Sequence, residues 1–157
     1  MAYTELDIGL SSEAKSMQET AARFAVEVLR PAGVELDALP APQNVVKKGS
    51  KLWEVTKKVR ELGFHKVDLA GEIGGMKEDL DPSTACLLTE ALGYGDAGLA
   101  MSIDASTLPF KVAHAAGSGK ELAGAYCDDE DCNMIGCVVA VKPCTARGLT
   151  VTDNEIT

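Results

Sequence analysis

Four thiols cluster towards the end of the sequence: Cys127, Cys132, Cys137 and Cys144, spaced C-x4-C-x4-C-x6-C. Thiolates at that density could take up zinc or an iron–sulfur cluster. Common zinc sites use C-x2-C pairs, however, and ferredoxin spacing is only loosely approached. Cys137 also falls in an apolar run, where a small, weakly polar side chain fits. The reading is reduced cysteines and no metal. His65 and His114 have no sequence neighbour that would make either an acid–base catalyst, and His114 in an Ala-rich stretch reads as packing or surface. Gly117-Ser-Gly-Lys120 lacks the upstream glycine and the preceding strand of a phosphate loop. No catalytic residue emerges from these patterns.

Composition narrows the classes. A length of 157 residues is one domain on the usual prior. Hydrophobic content of 46% marks a globular chain. Aromatics are only 4%, so the core must rely on Leu, Val, Ile and Ala, which favours closely packed helices. A net charge of −9 repels phosphate backbones and argues against nucleic acid as a partner. The start has no charged-then-apolar pattern of a signal peptide. No apolar run is long enough for a bilayer. A cytoplasmic protein with reduced thiols and no membrane partner is expected.

Local signals order the elements. Ser11 or Ser12 caps a first helix, with Ala14, Met17, Ala21, Phe24, Ala25 and Val28 on one face. Pro31 is expected to stop it, and residues 31–43 read as a connector. A second helix is expected from near Asn44, burying Leu52, Val55, Val59 and Leu62. Its basic side chains, Arg60 among them, read as a solvated face, and Gly63 caps its end. Trp53 reads as core. Residues 64–75 are loop, with Gly74-Gly75 open to positive φ. Asp81-Pro82 starts the next helix, with Ala85, Leu88, Thr89 and Leu92 inward. Gly93 and Gly95 close it. Asp96 caps a further helix with Leu99, Ile103 and Thr107 inward, which Pro109 kinks or breaks, leaving a short helix from Phe110 to Ala116. Lys120 to Cys127 is a last helical piece. After the acidic turn Asp128–Asp131, the run Met134 to Val141 reads as a strand, with a second possible at Leu149 to Thr152. The fold class is therefore mainly α, bundle-like, with one or two short C-terminal β-strands. The division is a helical domain over 1–133 and the start of a β-domain over 134–157.

The order of these pieces resembles the N-terminal helical domain of acyl-CoA dehydrogenases. Phe24-Ala25 to Pro31, Glu61-Leu-Gly-Phe64, Gly71-Glu-Ile-Gly-Gly75, Glu90-Ala-Leu-Gly-Tyr-Gly-Asp-Ala-Gly98 and the run from Ala116-Gly117 to Tyr126 resemble successive motifs of that family. The resemblance covers about Leu10 to Pro143. It implies an enzyme in which FAD accepts a hydride from the β-carbon of an acyl-CoA while a glutamate removes the α-proton. By position it implies that Ala100, Met101 and Asp104 wall the acyl pocket. The alternative is that Met101 packs in the core and Asp104 lies on the solvent face of its helix.

Where the family writes an aromatic, two residues, Thr or Ser, Glu and Pro, this chain has Val138-Val-Ala-Val-Lys-Pro143. The resemblance implies that Val138, Ala140 and Val141 lie beside the flavin. Val141 in place of the hydroxyl residue removes a donor and acceptor, and Lys142 replaces the Glu. The family's catalytic glutamate and most of its FAD and CoA contacts belong to segments outside these 157 residues. The expectation is a domain or subunit that walls the acyl pocket and is not catalytic alone, with a complementary dehydrogenase subunit or its own copies as partner. The alternative is a flavin-free, degenerate helical module with a structural or protein-interaction role. Both predict an exposed apolar patch and oligomerisation.

Overall fold

A computed structural model describes residues 10–137 and the short strands Val151–Thr152 (β1) and Glu155–Ile156 (β2). Helix α1 (Ser12–Phe24) begins at Ser11, whose side chain accepts from the Ala14 amide. The backbone then passes through one π-helical stretch, Ala25–Leu29, into α2 (Arg30–Asp37). Pro31 therefore does not stop the helix, contrary to expectation. It sits in the first turn of α2, after the wider π turn, where a missing N–H and a fixed φ are tolerated. The anticipated inward stripe holds: Ala14, Ala21, Phe24 and Ala25 are buried, and Met17 and Val28 pack partly buried beside them.

Helix α3 spans Lys51–Glu61 and starts later than expected, because Pro42–Asn44 forms a separate 3-10 turn. The Ser50 hydroxyl donates to the Val45 carbonyl, fastening that turn to the helix start. Val55 and Val59 are buried as expected, Leu62 is exposed, and Trp53 is half-buried with its indole N–H on the Lys47 carbonyl. Gly63 takes φ +75°, the left-handed cap. Residues 64–75 contain two 3-10 turns and bury Phe64, His65, Val67, Leu69 and Ile73, so this connection is part of the core. Gly75 is required for space: a Cβ there would lie 1.9 Å from the Leu69 carbonyl oxygen.

Helix α4 (Pro82–Gly95) is capped by Asp81, and α5 (Ala97–Ala115) by Asp96, whose carboxylate accepts from Leu99 N at 2.8 Å. On α4 the buried residues are Thr84, Leu88, Ala91 and Leu92, while Thr89 is exposed. Pro109 lies inside α5 without ending it, so no separate short helix forms. The helix is anchored on both sides of the proline. Thr107 donates to the His65 carbonyl at 3.0 Å, and Phe110 stacks on Tyr126 with ring centres 3.9 Å apart. Those contacts outweigh the local cost of an interior proline, about 3 kcal/mol.

Helix α6 (Lys120–Cys127) has the expected bounds. One apolar cluster joins α1, α2, α3, α4 and the start of α5. A second gathers Leu69, Ile73, Phe110, Ala123, Tyr126 and Cys127.

Residues 134–137 are not strand. The Met134 and Gly136 amides are taken up by side chains instead of a ladder. Asp129 accepts from Met134 N at 2.6 Å, and Gly136 N donates to Ser106 Oγ at 3.3 Å. The remainder of the expected strand, 138–141, lies outside the described residues. β1 pairs antiparallel with β2, Val151 opposite Ile156. The described chain is mainly helical, as its periodicity implied.

Candidate functional site

A groove of about 420 Å³ opens between α4, α5 and the turn that follows α3. Leu88 and Leu92 form the α4 wall, Met101, Asp104 and Leu108 the α5 wall, and Val67 and Asp68 close one side. The positions on α5 follow from helical spacing, since residues three, four and seven apart share a face. Thr89 faces the groove, which is why it is exposed and not packed.

The structure separates the three residues assigned to the acyl wall by resemblance. Met101 is 72% exposed at the groove rim, so it is not a core methionine. Asp104 lines the same groove. Ala100 is buried in the main core beside Leu99 and does not line the groove. Val138, Ala140 and Val141 lie outside the described residues.

Electrostatics set the groove's character. Lys111 Nζ lies 2.9 Å from Asp68 Oδ2. Asp104 is held above the usual aspartate range by partial burial and then by the charge of Asp68, with Lys111 acting in the opposite direction. Two carboxylates thus face one ammonium on a largely apolar wall that also holds Thr89, Thr107 and His65. Met101, Leu108 and Val112 are exposed along α5, extending the apolar surface past the groove.

A polar hub that sequence reasoning missed adjoins the groove through His65. Arg60 is 5% exposed, not solvated. It donates to the carbonyls of Tyr126 and Met134 at 2.9 and 2.7 Å. The available signal was position: Arg60 follows Leu52 and Thr56 at four-residue steps, on the flank of the Val55–Val59 stripe. His65 is equally buried, with Nε2 3.3 Å from the Cys127 carbonyl oxygen. Burial pulls its pKa to about 4, aided by the charges of Arg60 and Lys66 and opposed by hydrogen bonding to backbone carbonyls. His114 meets Glu72 at 2.9 Å, and Lys120 reaches the other Glu72 oxygen at 3.2 Å, tying α5 and α6 to the turn at Gly71–Ile73.

Of the C-terminal thiols, Cys127 is buried, Cys132 half-buried and Cys137 exposed, while Cys144 lies outside the described residues. Burial raises the Cys127 and Cys132 thiols above the ordinary range, so neither is activated as a thiolate. Among the described residues no group of three or more His, Cys, Asp or Glu side chains is placed to hold a metal ion. No helix among them is long and apolar enough to cross a membrane.

No solved structure matches the chain. Residues 11–120 match the family model described as acyl-CoA dehydrogenase, N-terminal domain, which covers the described helices up to the start of α6. The chain therefore belongs, through this N-terminal domain, to the acyl-CoA dehydrogenase family.

Proposed function

We propose that this chain is the N-terminal domain or subunit of an acyl-CoA dehydrogenase-type flavoprotein and supplies one wall of the acyl pocket. The reaction so assigned is FAD-dependent α,β-dehydrogenation of an acyl-CoA thioester. The observation that carries the reading is the apolar groove between α4 and α5, with Met101 and Asp104 on its wall. Such a groove removes an acyl chain from water and orients it, which is this chain's part in the chemistry.

The groove does not fit the cofactor itself. Its two carboxylates against one ammonium would repel the FAD diphosphate. FAD is therefore assigned to complementary segments or a partner chain, together with the general base. The exposed stripe Met101, Leu108 and Val112 supports burial against such a partner or a second copy.

The test is a titration of the chain with an acyl-pantetheine thioester, followed by methyl NMR. Met101 is one of five methionines, so its methyl signal is assignable by substitution. Saturable shifts at Met101 and Leu108 are expected. Shifts scattered over the surface, or none, would sink the reading.

A second reading, a flavin-free interaction module, is favoured by Val141 and Lys142 at positions where the family carries a hydroxyl residue and a glutamate. Native mass measurement separates the two. A mass increment of FAD or a co-purifying dehydrogenase chain supports the first, and a ligand-free homo-oligomer supports the second.

A further inference from the structure

We infer that the α4–α5 groove selects acyl groups whose far end carries a hydrogen-bond donor or a positive charge, and that Asp104 reads that end. The inference rests on the acyl-pocket reading above and adds a substrate class to it.

Three charged side chains line the groove: Asp68, Asp104 and Lys111. Lys111 is already matched to Asp68 at 2.9 Å. Asp104 is left as the carboxylate without a hydrogen bond or ion pair among the described residues. It sits between Met101 and Leu108 on α5, facing the apolar α4 wall of Leu88 and Leu92. A carboxylate in such a wall keeps its stabilisation only if water or a ligand donor stays against it.

The consequences rank the ligand ends. A methyl end displaces water from Asp104 and returns nothing. A carboxylate end meets two like charges, only one of them matched. A hydroxyl end donates one hydrogen bond. An ammonium end donates and also neutralises the groove's excess negative charge. The expected order of affinity is ammonium, hydroxyl, methyl, carboxylate. The ammonium-over-methyl gap should be about tenfold, the lower end of what a hydrogen bond to a charged group contributes.

The experiment titrates the 157-residue chain with four stable pantetheine thioethers of matched length: S-hexyl, S-(6-hydroxyhexyl), S-(6-aminohexyl) and S-(5-carboxypentyl). Met101 and Leu108 methyl signals report binding. The same series is run on Asp104→Asn, an exposed position where folding should survive. As a second variant, Lys111→Gln leaves Asp68 unmatched and should widen the ammonium preference.

The aminohexyl compound is expected to bind about tenfold more tightly than the hexyl compound, and Asp104→Asn to abolish that gap. Equal affinities across the series, or an unchanged order in Asp104→Asn, overturn the inference and leave the acyl-pocket reading standing. If no thioether shifts the groove signals, n-hexylamine and hexanoate are compared. Shifts from the amine alone show a cation site at Asp104 and sink the acyl-pocket reading together with the inference built on it; shifts from neither, or from hexanoate, sink both.

Discussion

The Arg60 guanidinium carbon lies 4.0 Å from the centre of the Tyr126 ring, and the same side chain donates to the Tyr126 carbonyl. One residue thus stacks on the ring and satisfies the backbone of its partner, while its second nitrogen holds Met134. Tyr126 in turn stacks on Phe110 and has its hydroxyl 3.1 Å from Thr107 Oγ1. Helices α3, α5 and α6 and the segment leaving α6 meet at this pair.

Removing Arg60 would leave the partly buried Met134 carbonyl without its donor and the Tyr126 carbonyl with only the longer bond from the Asp129 amide, at 3.4 Å. Arg60→Ala should cost about 2–4 kcal/mol of folding stability, from the unpaired carbonyl and the lost ring contact. Arg60→Lys should recover less than half, because one ammonium cannot reproduce the planar fork. Urea denaturation measures both. A cost below about 1 kcal/mol, the worth of an ordinary hydrogen bond, would mean the pair is not a stabilising hub.

His65 makes stability depend on acid. The folded state holds it neutral until about pH 4, whereas the unfolded chain takes up the proton near 6.5. Between these values the unfolded state binds more protons, so stability falls as pH drops from 6.5 towards 4. The loss is roughly 3 kcal/mol at 1.36 kcal/mol per unit. His65→Gln should flatten this part of the stability curve. Carboxylates titrate in the same window, so the quantity to compare is the difference between wild type and variant. An unchanged slope would show that His65 is not held neutral.

Two glycines of one helix should respond with opposite sign. A Cβ at Gly95 would lie 2.6 Å from the Ala25 carbonyl oxygen, where α4 crosses the π turn, so Gly95→Ala should destabilise by about 1–3 kcal/mol. Gly93 has nothing within 4 Å, so Gly93→Ala should stabilise by about 0.5–1 kcal/mol from helix propensity. Thermal melts of the two variants decide this, and a shared sign would contradict the crossing geometry.

Asp96 ends α4 and starts α5. Asp96→Ala removes the acceptor for Leu99 N and should cost about 1 kcal/mol. Gly33 on α2 leaves room for that carboxylate, since a Cβ there would fall 2.0 Å from Asp96 Oδ2. Gly33→Ala should therefore displace the cap. In Asp96→Ala the same Gly33 change should become nearly harmless, a coupling that a double-mutant cycle measures.

The amino-acid sequence alone determined the helix starts at Asp81 and Asp96, the stop at Gly63 and the bounds of α6, and narrowed the first start to Ser11 or Ser12. The starts and the stop are decisions between neighbouring residues: a side-chain oxygen over a free amide, or a glycine where φ must be positive. The ordered motifs also sufficed to reach the family and the mainly helical class. Only the tertiary structure decided that the chain stays helical through Pro31 and Pro109, that Arg60 and His65 are buried, that Thr89 faces a groove, and that Asp104 shares it while Ala100 does not. Those outcomes depend on what packs over each face. A proline's local cost is offset by aromatic and hydrogen-bonded contacts from distant helices, and a charged side chain is covered when backbone carbonyls more than sixty residues away supply its partners.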